Sequence, residues 1–148
     1  MNISFFLTTE QIRNSTPDNI LKDVTRRLGW KNLKAGQILM ACVKCQGLKK
    51  GENIEKIRPI RVKSATTEEL QVIMHYPYRN KCKRSEMERE GFPEMCSLEF
   101  IDMFTKEMNC NRDTTVTRIE FEYVDESDSK RASQSYRYSV NFGVTCLR

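Results

Sequence analysis

The stretch Thr114–Val124 constrains the fold of this chain more than any other. Thr117, Ile119, Phe121 and Tyr123 alternate with Arg118, Glu120 and Glu122. A period of two belongs to a β-strand with one face on a core, because successive side chains leave a strand on opposite sides. An Asp/Ser-rich stretch, Asp125–Lys130, follows, and then a second alternating run, Tyr136, Tyr138, Val140, Phe142, Val144 and Cys146. Two such runs around a polar turn predict an antiparallel hairpin, with Arg118, Glu120 and Glu122 towards water.

The remaining elements are shorter. Ile3–Leu7 and Ile57–Ser64 read as strands, and the apolar run Ile38–Val43 reads as a buried one. Three capping boxes stand ahead of short helical patterns: Thr8-x-x-Gln11, Thr66-x-x-Glu69 before Leu70–Met74, and Ser85-x-x-Glu88. Gly91 reads as the residue that closes the third helix. Leu98–Met108 carries Phe100, Ile101, Phe104 and Met108 at helical spacing, which predicts one buried face. No βαβ alternation occurs. The fold class expected is therefore α+β, a small mixed or antiparallel sheet curled into a barrel with short helices at its periphery. At 148 residues the chain fits one domain over 1–148, with 126–148 as a C-terminal extension.

No apolar run approaches the roughly 20 residues of a membrane helix, so no membrane is expected. The segment Met1–Leu7 lacks a basic region and a small-residue cleavage site, so six cysteines are expected as reduced thiols in a cytoplasmic setting. The spacing Cys42-x-x-Cys45 suits a metal, but only His75 and Cys82 lie nearby as further ligands, in no zinc-finger pattern, and no metal or other cofactor is expected. The net charge of +5 favours an anionic partner, nucleotide or nucleic acid ahead of a membrane surface, with a mildly basic surface of no specific role as the plainer reading. No glycine loop ends in Gly-Lys-Ser/Thr, so a P-loop is excluded.

The densest polar cluster in the first third is Lys22-Asp23-Val24-Thr25-Arg26-Arg27, followed by Gly29-Trp30. A desolvated lysine near arginines loses basicity and can act as a base, and a nearby threonine hydroxyl can be its nucleophile or an oxyanion donor. From charge density alone, a solvated basic edge is the simpler reading. Glu90 lies where the Gly91 turn can aim it into a cleft.

Several of these pieces resemble the ASCH domain family, a small β-barrel fold related to the PUA domain, with phage-type members nearest in pattern. They are Ile3-Ser4-Phe5-Phe6, Thr9–Asn14, Lys22-x-x-Thr25-Arg26-Arg27, Leu33-Lys34-Ala35-Gly36, Glu90-Gly91-Phe92-Pro93 with Phe100, and Arg118–Phe121. The resemblance covers about residues 1–125 and implies a pocket for RNA or a modified nucleobase. One branch of the family removes the acyl group from 4-acetylcytidine without a metal. It uses a lysine, a threonine three residues later and a distant glutamate, and Lys22, Thr25 and Glu90 fall on those positions. The general motif more often has glutamate where Thr25 stands, which points to that branch. The resemblance thus implies an amidohydrolase acting on N4-acylated cytosine nucleosides, with Phe6 or Trp30 stacking the base. The alternative is a non-catalytic module binding RNA or a modified base, with Arg26 and Arg27 on phosphates; a monomer is expected in either case. Thr16–Leu21 looks like an insertion, and Asp23 replaces a common threonine; if its carboxylate meets Lys22, it raises the lysine's pKa.

Overall fold

The computed structural model describes residues 1–45, 47–76 and 85–125. The hairpin partner expected at 135–146, Cys82 and the loop at 77–84 lie outside these. Within them are five strands, β1 (Asn2–Ser4), β2 (Val24–Arg27), β3 (Ile38–Cys42), β4 (Lys56–Glu69) and β5 (Thr115–Tyr123). They form one mixed sheet in the order β1-β3-β4-β5-β2. β1 runs parallel to β3 and every other pairing is antiparallel. The fold is thus a small mixed α/β one.

Three α-helices accompany the sheet: α1 (Thr9–Asn14), α2 (Glu86–Glu90) and α3 (Ser97–Met108), with 3₁₀ turns at Phe6–Thr8 and Leu70–His75. The first strand is shorter than expected, because the chain turns into a 3₁₀ helix at Phe6 and leaves Phe5 buried but Phe6 exposed. The three capping boxes meet three fates. Ser85 accepts a hydrogen bond from the Glu88 amide and starts α2 as expected. Thr8 precedes α1 without a side-chain cap bond, and Gln11 donates instead to the Gly91 carbonyl at 3.3 Å. Thr66–Glu69 is not a box at all: it belongs to β4, whose ladder with β5 runs on to Glu69. Long-range pairing outweighs a local helix signal there.

Both faces of the sheet are covered. Ile3, Phe5, Ile12, Leu39, Ala41, Ile60, Val62, Ile119 and Phe121 form one core. Leu70, Ile73, Met87, Phe100, Ile101, Phe104 and Val116 form the other, under α2 and α3. Met108, expected on the buried face of α3, is 42% exposed. The second core also overturns the expected environment of Arg118. This residue shares a face of β5 with Val116 and is only 9% exposed. Alternation located its face correctly, but Glu86 of α2 packs on Arg118 while Glu122, further along the same face, stays exposed as expected.

Candidate active site

Among the described residues, β2 lies at one end of the sheet order and its ladder partner is β5. The register sets Thr25 opposite Ile119, Arg26 opposite Arg118 and Arg27 opposite Thr117. Two arginines facing each other across strands repel unless carboxylates lie between them. The C-terminal end of β4 and helix α2 supply those carboxylates. Glu86 accepts from Arg26 Nη2 at 2.7 Å and from Arg118 Nε at 2.7 Å. Glu68 takes Arg26 Nε at 3.0 Å, and Glu90 takes Arg26 Nη1 at 2.7 Å. Tyr76 covers the cluster, its ring 5.1 Å from the Arg26 guanidinium carbon and its hydroxyl donating to Glu68.

Burial opposes the charge on Arg26, but Glu90, Glu86 and Glu68 outweigh it and hold the guanidinium above its ordinary pKa. Burial likewise opposes ionisation of Glu86, while the bonds from Arg118 and the charge of Arg26 lower its pKa. Arg26 is therefore a structural cation. It is sealed among three carboxylates and leaves no free edge for a ligand.

Lys22 precedes β2 and is only 2% exposed, so it is no solvated edge. Its Nζ donates to the backbone carbonyl of Glu90 and lies 3.3 Å from the Glu90 carboxylate. Gly91 makes this approach possible. It ends α2 with φ near +93°, turning the Glu90 carbonyl towards the lysine, and a Cβ there would meet Lys22 Cδ at 3.4 Å and Thr8 Cγ2 at 3.3 Å. The rings of Phe5 and Phe92 lie 5.8 and 6.0 Å from the ammonium. Burial lowers the Lys22 pKa to about 8; Glu90 works against this fall and Arg27 adds to it. Asp23 is held by Arg89 at 3.1 Å, and Arg89 is shared with Glu120 at 2.7 Å. The carboxylate beside Lys22 in sequence is thus engaged with α2, and Glu90 is the carboxylate on the lysine.

Lys22, Thr25, Arg26, Arg27 and Glu90 all line one pocket of about 170 Å³, with Phe5, Phe6 and Phe92 among its apolar walls. Phe6 is 67% exposed at this wall. Thr25 is buried, and its Oγ1 accepts the Arg27 Nε–H at 3.1 Å. The Thr25 hydroxyl donates to no acceptor among the described residues. Trp30 is not brought to the pocket; it follows the end of β2 with φ near +60° and packs on the first core. Residues that sequence reasoning passed over are Glu68, Glu86, Phe92 and Arg118. The Ser85 cap was a signal for Glu86, since it fixes the phase of the helix that carries Glu86 and Glu90 on one side; Phe92 and Arg118 lay within the resembling segments without a role of their own. Among the described residues no group of three or more His, Cys, Asp or Glu is placed to hold a metal ion, and no helix is long and apolar enough to cross a membrane.

No family model, curated protein or solved structure matches the chain.

Proposed function

We propose that this protein is an amidohydrolase that removes an acyl group from N4-acylated cytosine nucleosides, as its resemblance to the ASCH family suggests. One observation carries the reading. A buried lysine with a pKa near 8 lines the same pocket as a threonine whose hydroxyl proton meets no acceptor among the described residues. The pocket suits a single ring, since a cavity of about 150 Å³ holds benzene.

In the reaction, the neutral Lys22 amine takes the Thr25 hydroxyl proton as Oγ1 adds to the acyl carbonyl carbon. The tetrahedral intermediate collapses with cleavage of the C–N bond, and the departing exocyclic nitrogen takes the proton from Lys22. Water then adds to the Thr25 ester, giving a proton to Lys22; the C–Oγ1 bond breaks, Lys22 returns that proton to Oγ1, and the carboxylic acid leaves. Glu90 holds the lysine in place through its carbonyl and carboxylate. Phe6, exposed at the pocket wall, offers a ring for the base to stack on.

The test is release of cytidine from N4-acetylcytidine by wild type, Lys22→Ala and Thr25→Ala. Wild-type release with a loss of about a hundredfold or more in each variant supports the proposal. Absence of release by wild type overturns it, and binding of the nucleoside without turnover would assign the pocket to recognition alone.

A further inference from the structure

The charges around the pocket balance until Arg27 is counted. Lys22, Arg26 and Arg118 are matched by Glu90, Glu86 and Glu68. Arg27 has no carboxylate within ion-pair distance among the described residues. Its guanidinium lies 4.8 Å from the Phe5 ring centre, and its Nε is spent on Thr25. Among the described residues the terminal nitrogens make no hydrogen bond, and no buried side-chain nitrogen or oxygen is left without a partner, so these nitrogens are not sealed from solvent; Arg27 is one of the residues that line the pocket. A guanidinium presents planar, paired donors that match an anion with two oxygens. Beside it, the Thr25 hydroxyl has a proton to give.

We infer that Arg27 and Thr25 form an anion subsite in this pocket, and that its ligand is a monocarboxylate. One uncompensated cation neutralises one negative charge. A phosphate dianion would carry a second charge into a pocket walled by phenylalanine rings, where an unpaired charge is costly. The subsite stands on the charge balance alone and does not depend on the hydrolase reading. If that reading holds, the carboxylic acid released from Thr25 is formed against Arg27, and the same nitrogens face the oxyanion that precedes it.

The experiment titrates the full-length protein with sodium acetate, following the Arg27 Nε–H resonance in ¹⁵N-labelled protein, with sodium chloride at equal ionic strength as control. The resonance is assigned by its loss in Arg27→Lys. A saturable shift with acetate and not chloride is expected. Thr25→Val should weaken acetate binding about tenfold, the cost of one hydrogen bond to a charged partner. In Arg27→Gln and Arg27→Lys, acetate should lose its specific effect on the neighbouring Thr25 amide, and two variants of different length guard against misfolding of one. Equal responses to acetate and chloride overturn the inference, as does acetate binding that survives both Arg27 variants. A tenfold preference for inorganic phosphate over acetate overturns the carboxylate assignment. Acetate binding without cytidine release from N4-acetylcytidine would support the subsite while refuting the hydrolase.

Discussion

Glu90 meets Lys22 twice, through its backbone carbonyl and through its carboxylate, across 68 residues of sequence. The same carboxylate reaches Arg26 at 2.7 Å, so one residue at the end of a short helix ties together both cations. The carboxylate alone would favour a charged lysine, but burial outweighs it and lowers the amine's pKa to about 8.

The pH dependence of Lys22 follows from that balance. Its neutral form is the base, so kcat/KM for N4-acetylcytidine should rise with pH and level off above about 8. Stability should move the same way. The folded pKa lies below the ordinary 10.5, so between about 8 and 10.5 the unfolded chain holds a proton that the folded one has released. Unfolding free energy therefore increases with pH across that window. Urea titrations of wild type and Lys22→Met at pH 8 and 10 would check this. The wild type should gain stability relative to the variant, and an equal response would refute the lowered pKa.

Glu86 separates Arg26 from Arg118, so Glu86→Gln leaves two buried guanidiniums facing each other with one counter-charge fewer. We expect a loss of about 3 kcal/mol at neutral pH, measured by chemical denaturation. The Glu86 pKa is lowered on folding, so the stability it contributes is present above its ordinary 4.5 and is lost as pH falls below that value. The difference between wild type and Glu86→Gln should accordingly shrink in acid. A constant difference would place the effect in packing.

At Gly91 the backbone requires a left-handed conformation, and a methyl group would press on Thr8, Gln11 and Lys22. Gly91→Ala should cost about 1–2 kcal/mol in stability from the conformation alone. It should also reduce activity more than stability, since the Glu90 carbonyl must shift away from Lys22. Calorimetric Tm and kcat, measured together, distinguish the two effects.

Phe5 and Phe6 are neighbours with opposite environments, one 1% and the other 67% exposed. Phe5→Ala should cost about 3–5 kcal/mol of stability. Phe6→Ala should change stability by less than about 0.5 kcal/mol while weakening nucleoside binding by about 1–3 kcal/mol if the base stacks there. Calorimetric titration with cytidine tests the second half; unchanged affinity would remove Phe6 from the ligand.

Much of the fold is written locally. The alternation of 114–124 located β5, Ser85 and Gly91 marked the two ends of α2, and the spacing of Phe100, Ile101 and Phe104 located α3. These signals depend on residues within a turn or two of one another, where backbone geometry and capping bonds act. The sequence also pointed to Lys22, Thr25 and Glu90 as candidates, and likeness to a family set them together. Their contacts came from elsewhere in the chain. The pairing of β2 with β5 put Arg26 opposite Arg118, and α2 laid over that face turned a nominally wet side into a buried charge cluster. Tertiary structure also separated Arg26 from Arg27: both line the pocket, but Arg26 is paired with three carboxylates while Arg27 bonds to Thr25 and lies over the Phe5 ring. By itself the sequence located β5, α2 and α3, while the run of β4 on to Glu69 was decided by its pairing with β5. Only tertiary structure decided which charges were neutralised, because burial and counter-charge belong to groups that meet in space.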